Sequence, residues 1–102
     1  MGGNVALEID ETIHQKTRLR IMSYLAAVGE TDFLTLKRLL NLSDGNLSVH
    51  TSILEDKGFI ECEKSFVGKK TRTIYRITRS GRRAFEAYVA QIESILRGGG
   101  MP

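Results

Sequence analysis

A single cysteine, Cys62, stands in the 102 residues. It excludes an intrachain disulfide and every zinc site built from several cysteines. Two widely spaced histidines, His14 and His50, add little to the metal-ligand inventory, so neither metal nor cofactor is expected. Long apolar runs are also missing. The longest charge-free stretch, Gly45 to Leu54, is far short of the about 20 residues that a bilayer span needs. The start Met1-Gly2-Gly3-Asn4-Val5 has no basic segment leading into an apolar one, so no signal peptide is read. The expected location is the cytoplasm. No pair of carboxylates, nucleophile–base set or phosphate-cradling glycine loop is placed for chemistry, and an enzyme is not expected. Gly98-Gly99-Gly100 has no strand before it and no helix after it, and reads as tail.

Acidic residues are absent from Lys64 to Arg83, where eight basic ones gather: Lys64, Lys69, Lys70, Arg72, Arg76, Arg79, Arg82 and Arg83. The rest of the chain holds seven basic and twelve acidic residues, a balance of −5. A net charge of +3 thus hides a one-sided field, and such a field suits a polyanion. Without a partner it would be a solvated basic face. Apolar residues make up 41 %, enough for one small core. So short a domain buries a modest share of its surface, which favours pairing with a second copy.

Residues 1–9 read as a loose arm, 10–97 as one domain and 98–102 as a mobile tail. Asp10 and Glu11 stand where an N-cap and first turn should be. From Thr12 to Val28, Ile13, Leu19, Ile21, Met22, Leu25 and Val28 keep helical spacing, and Gly29 is a stop. Glu30 to Phe33 is a connector with room for one β-bridge. Leu34, Leu36, Leu39 and Leu40 mark a second helix that Asn41 ends. The turn Leu42 to Gly45 leads into a third helix, capped by Ser43 or Asp44 and running from about Gly45 to Lys57. Leu47, His50, Thr51 and Leu54 share its inward face. Two β-rich runs follow, around a hairpin tip at Gly68-Lys69-Lys70. Thr78 caps a last helix reaching about Leu96, on which Phe85, Tyr88, Ile92 and Ile95 repeat at the 3-4-3 step of a coiled-coil seam.

The order is helix, helix, turn, helix, basic hairpin, helix: mainly α with a small β-hairpin, a winged helix-turn-helix. At Ile13–Met22, Phe33–Lys37, Asn46–His50, Leu54–Ile60 and Tyr75–Arg82, the sequence resembles the winged-helix transcriptional regulators of the multiple-antibiotic-resistance (MarR) and ArsR type, over residues 13–96. The resemblance implies a homodimer that binds a two-fold-related double-stranded DNA site and usually represses transcription. The first and last helices would make the dimer, through the seam Phe85, Tyr88, Ile92 and Ile95. Two departures stand out. Relatives often carry Lys or Arg on the outward face of the third helix, where this chain has Ser48, Val49 and Ser52. The cysteine pairs or His–carboxylate clusters of metal-sensing relatives are absent.

In such a fold the third helix enters the major groove, and the wing reaches the neighbouring backbone or minor groove. Asn46, Ser48, Val49 and Ser52 are the candidates to face bases: Asn suits adenine, Ser either kind of base, Val a thymine methyl. Lys69, Lys70 and Arg72 are candidates for phosphate or minor-groove contact by the wing, and Arg76, Arg79, Arg82 and Arg83 for flanking phosphates. Lys37 and Arg38 would meet a phosphate where the second helix crosses the backbone. His50 reads as a core histidine bonded to a backbone group, His14 as a surface or interface residue, and Cys62 as a small buried apolar one. The competing reading is a protein-interaction module on the same fold, without specific DNA binding. A small-molecule effector is left open.

Overall fold

A computed structural model describes residues 8–98. The expected arm and tail fall, but for residues 8, 9 and 98, outside the described residues. The chain runs α1 (Lys16–Val28), β1 (Glu30–Asp32), α2 (Phe33–Leu40), α3 (Asp44–Asp56), β2 (Ile60–Val67), β3 (Lys70–Ile77) and α4 (Arg79–Leu96).

The first helix starts later than its apolar spacing suggests. Asp10 does cap, but it caps an isolated turn: its carboxylate accepts from the Thr12 and Ile13 N–H groups at 2.9 and 3.2 Å. The backbone then opens at Gln15, which is extended (φ −141°, ψ 133°) and whose side-chain oxygen accepts from Arg18 N–H. The expectation of Asp10 and Glu11 at the helix start is therefore corrected to Gln15 as N-cap. At the far end Gly29 takes φ +89°, and its N–H closes on Leu25 O at 2.7 Å. A residue with a Cβ would be strained there.

Asp32 ends β1 and caps α2 together. Its carboxylate accepts from Thr35 N–H at 2.7 Å, and that bond holds its carboxyl below the ordinary carboxylate range, with Arg72 adding to the effect. Asn41 adopts the left-handed conformation (φ 55°, ψ 56°) and stops α2, as Asn can at low cost. Ser43 then caps α3 by accepting from Asn46 N–H at 3.1 Å.

The expected single bridge at β1 is a full three-residue strand. The sheet has the order β1-β3-β2, antiparallel throughout. Ile60 pairs with Ile77, and the ladder continues to Val67 with Lys70. Gly68 and Lys69 close the hairpin. Only Gly68 has positive φ (+65°), the pattern of a type II′ turn, whose twist matches that of the strands.

Ile21, Met22 and Leu25 of α1 meet Leu36 of α2 and Leu47 and Leu54 of α3 in one core. All six are fully buried, each contributing about 1.5–3 kcal/mol. The sheet covers this core with Ile60 and Tyr75. Beyond them the hairpin has no core beneath it: Phe66, Val67, Lys69, Lys70 and Thr71 are all exposed. It projects as a wing. No helix of the described residues is long and apolar enough to cross a membrane.

Candidate nucleic-acid interface

The orientation of α3 follows from three residues. Leu47, Thr51 and Leu54 are buried, and the Thr51 hydroxyl satisfies itself by donating to Leu47 O at 2.8 Å. That anchors one face and leaves Asn46, Ser48, Val49 and Ser52 exposed together on the others. The four candidates for base contact thus share an open surface, small and polar apart from Val49. Lys37 of α2 pairs with Asp44 in the first turn of α3 at 2.6 Å, bracing the turn between the helices. Its charge is thereby countered, whereas Arg38 is exposed with no ion pair among the described residues.

His50 differs from expectation. It is half-buried and bonded to a side chain, not to the backbone. Arg18 donates to His50 Nδ1 at 3.1 Å and, through Nε, to Thr12 O at 2.6 Å. A guanidinium only donates, so Nδ1 accepts and the ring proton sits on Nε2. Burial, and then the Arg18 charge, push the imidazole below its ordinary pKa. The unfolded chain therefore binds a proton that the folded chain resists, and stability falls as pH drops through about 6.5. We expect the unfolding temperature to decline from pH 7 to pH 5, and His50→Gln to remove part of that decline. An identical pH profile in the variant would contradict it.

The wing sorts the basic block into free and engaged cations. Lys69 and Lys70 are exposed at the tip and carry no ion pair among the described residues. Arg72 lies 3.5 Å from Asp32. Arg76 is clasped twice, by Glu30 at 2.8 Å and Glu63 at 2.7 Å, which raises its pKa further, Glu63 foremost. Arg76, a candidate for a flanking phosphate, here faces two carboxylates that the sheet register brings beside it, through Glu30↔Arg76 and Glu63↔Ile74. Arg82 donates to Ala26 O at 3.1 Å and ties α4 to α1. Burial, with Glu55 adding to it and Lys64 opposing, pushes the Cys62 thiol up, so the cysteine stays protonated and unreactive near neutral pH.

On α4 the proposed seam divides. Phe85, Ile92 and Ile95 are half-buried. Tyr88 is only 4 % exposed within its own chain, its hydroxyl 2.8 Å from His14 Nδ1. Asp10 N–H donates to Gln91 at 3.0 Å beside it. The open apolar surface of this helix is instead Val89 and, at 79 % exposure, Leu96. Sequence reasoning missed both the Arg18–His50 contact and the Asp10–Gln91 contact. Neither has a local signal, since their partners lie 32 and 81 positions apart.

Helix-turn-helix, three-stranded sheet and projecting hairpin are shared with known proteins. A structure of a transcriptional regulator homologue from Pyrococcus horikoshii OT3 superposes with a TM-score of 0.84, at 23 % identity, covering 99 % of this chain and 100 % of that one. Reduced AbfR bound to DNA gives 0.70 at 23 % identity, over 85 % of this chain and 67 % of that one. NadR in complex with 4-hydroxyphenylacetate gives 0.69 at 19 % identity, over 94 % and 66 %. These likenesses speak for the fold. In sequence, an uncharacterised protein of Methanocaldococcus jannaschii is 41 % identical over 75 residues, 74 % of this chain and 82 % of that protein. The family model for the winged helix DNA-binding domain matches residues 17–96. That span takes in every helix and strand described above, but for the first residue of α1, and the chain belongs to the winged helix DNA-binding domain family.

Proposed function

We propose that the chain is a homodimeric transcriptional regulator, a repressor, that binds double-stranded DNA. The observation that carries this reading is the pairing, within a winged helix DNA-binding family, of an exposed face on α3 with a wing whose tip cations Lys69 and Lys70 are free of ion pairs among the described residues. In this account α3 lies in the major groove, about 12 Å wide, with Asn46, Ser48, Val49 and Ser52 toward base edges. Lys69 and Lys70 meet phosphates or the minor groove, Arg72 assists when it leaves Asp32, and Arg38 meets a phosphate beside α2. Counterion release at the phosphates supplies most of the affinity, and α3 supplies the sequence preference. AbfR, which shares the fold, is itself bound to DNA.

Two copies would meet through α4. The support is its open apolar surface, with Val89 and Leu96 exposed and Phe85, Ile92 and Ile95 half-covered. Two subunits set half-sites about one helical turn apart, ~34–36 Å. Val89→Glu with Leu96→Glu is expected to give folded monomers, because both side chains are exposed and neither packs on the core. Light scattering on the variant is the check, and a dimer of unchanged mass would remove α4 from the interface. NadR holds a small aromatic carboxylate, and a small-molecule effector is compatible with a dimer of this kind.

One observation favours the protein-interaction reading: α3 presents no cation on its exposed face, and Lys37, Arg72 and Arg76 are already paired. Salt dependence separates the two. Binding to duplex DNA that falls steeply with salt supports the regulator, and its absence supports the protein-interaction module.

A further inference from the structure

The face of β2 that covers the core does not end where the core ends. Strand alternation puts Ile60, Cys62, Lys64 and Phe66 on one side. Ile60 is buried and Cys62 half-buried, while Lys64 and Phe66 are exposed. Opposite them stand Thr73 and Thr71, by the register Lys64↔Thr73 and Phe66↔Thr71. Phe66 is 75 % exposed. A benzyl side chain there adds nothing to the fold, and it sits inside the longest acid-free basic segment of the chain, between Lys64 and the tip cations Lys69 and Lys70.

We propose that Phe66 is a DNA-contacting wedge: its ring enters the minor groove beside the wing and opens a base step. The proposal rests on the DNA-binding reading above and deepens it. Charge complementarity names the occupant. An apolar ring with Lys64 beside it on the same face and Lys69 and Lys70 at the hairpin tip fits a surface whose edges are phosphates and whose floor is apolar sugar and base edge. The minor groove is about 6 Å wide, and two strands already stand about 4.8 Å apart before their side chains are counted. A wing that enters with both strands across the groove must therefore widen it. An apolar side chain pressed between base pairs does this, at least cost at flexible pyrimidine–purine steps.

The test uses the full chain with Phe66→Ala and Phe66→Leu, on end-labelled duplexes carrying TA steps. Anisotropy at two salt concentrations reads affinity, and energy transfer between the duplex ends reads bending. Phe66→Ala is expected to bind about tenfold more weakly, with the same salt slope and without the bend. Phe66→Leu keeps most of both. Neither variant shifts the unfolding temperature, since the ring packs on no core. Wild-type affinity and bending in Phe66→Ala would overturn the proposal. So would a loss accompanied by a flatter salt slope, because that would mean the cations had moved. If the wild-type chain binds no duplex at all, the DNA-binding reading itself fails and the wedge with it, and an acidic protein partner becomes the occupant to seek.

Discussion

Gly81→Ala is expected to destabilise the chain by about 3 kcal/mol or more, at the upper end of what overpacking costs. Gly81 lies in the first turn of α4, where a helix former would ordinarily help. A Cβ there would stand 2.0 Å from the carbonyl oxygen of Phe59 and 2.9 Å from its carbonyl carbon. Both are backbone atoms and cannot step aside. The same Phe59 carbonyl accepts from Thr78 N–H at 3.0 Å. The Thr78 hydroxyl donates to Gly58 O at 2.6 Å and accepts from Gly81 N–H at 2.9 Å. Moving α4 to make room would break this knot, which fixes the helix against the entry to the wing. In a small domain such a loss lowers the unfolding temperature by roughly 12–24 °C. Thermal unfolding followed by circular dichroism is the check, and Gly45→Ala is the control. Gly45 is also helical, but a Cβ there meets nothing within 4 Å, so its substitution should be neutral or stabilising by up to ~1 kcal/mol. Equal melting temperatures for Gly81→Ala and the wild type would refute the close approach.

Lys69→Ala with Lys70→Ala carries the largest expected effect on binding. Both side chains are exposed at the tip of the wing, so the double substitution should leave the fold intact. If each meets one phosphate in each subunit, a dimer loses about four phosphate contacts. The wild type should then lose about a hundredfold more affinity than the variant between 50 and 200 mM salt. The weakening should be similar on all sequences, the mark of backbone contacts and not of base readout. Arg76→Ala is the contrast: its guanidinium is held by Glu30 and Glu63, and the salt slope should barely change. A double-lysine variant with the wild-type slope would take the wing out of the interface.

Local chemistry made most of the fold legible. Ser43, Asn41 and Thr78 perform in the structure the caps and stops their side chains predict, because each acts on backbone groups a few positions away. Asp10 misled for the same reason, since a capping carboxylate closes a single turn as readily as it starts a helix. The true cap, Gln15, belongs to a residue type that seldom does this. Arg76 marks the larger limit. An acid-free run in sequence says nothing about which carboxylates a sheet will lay beside it, and Glu30 arrives from 46 positions away. Tyr88 fits the helical seam by spacing alone. Whether it faces a second copy or its own chain depends on the turn at residues 11–13 and on His14, which the spacing does not record.

The central claim is that this chain binds duplex DNA through its phosphates. Fluorescence anisotropy of the wild-type chain on a random-sequence duplex, at 50 and 200 mM salt, tests it most directly. With about six phosphates engaged, the account predicts tight binding at the lower concentration and a loss of roughly a thousandfold at the higher. No binding at 50 mM salt, or an affinity indifferent to salt, would contradict it.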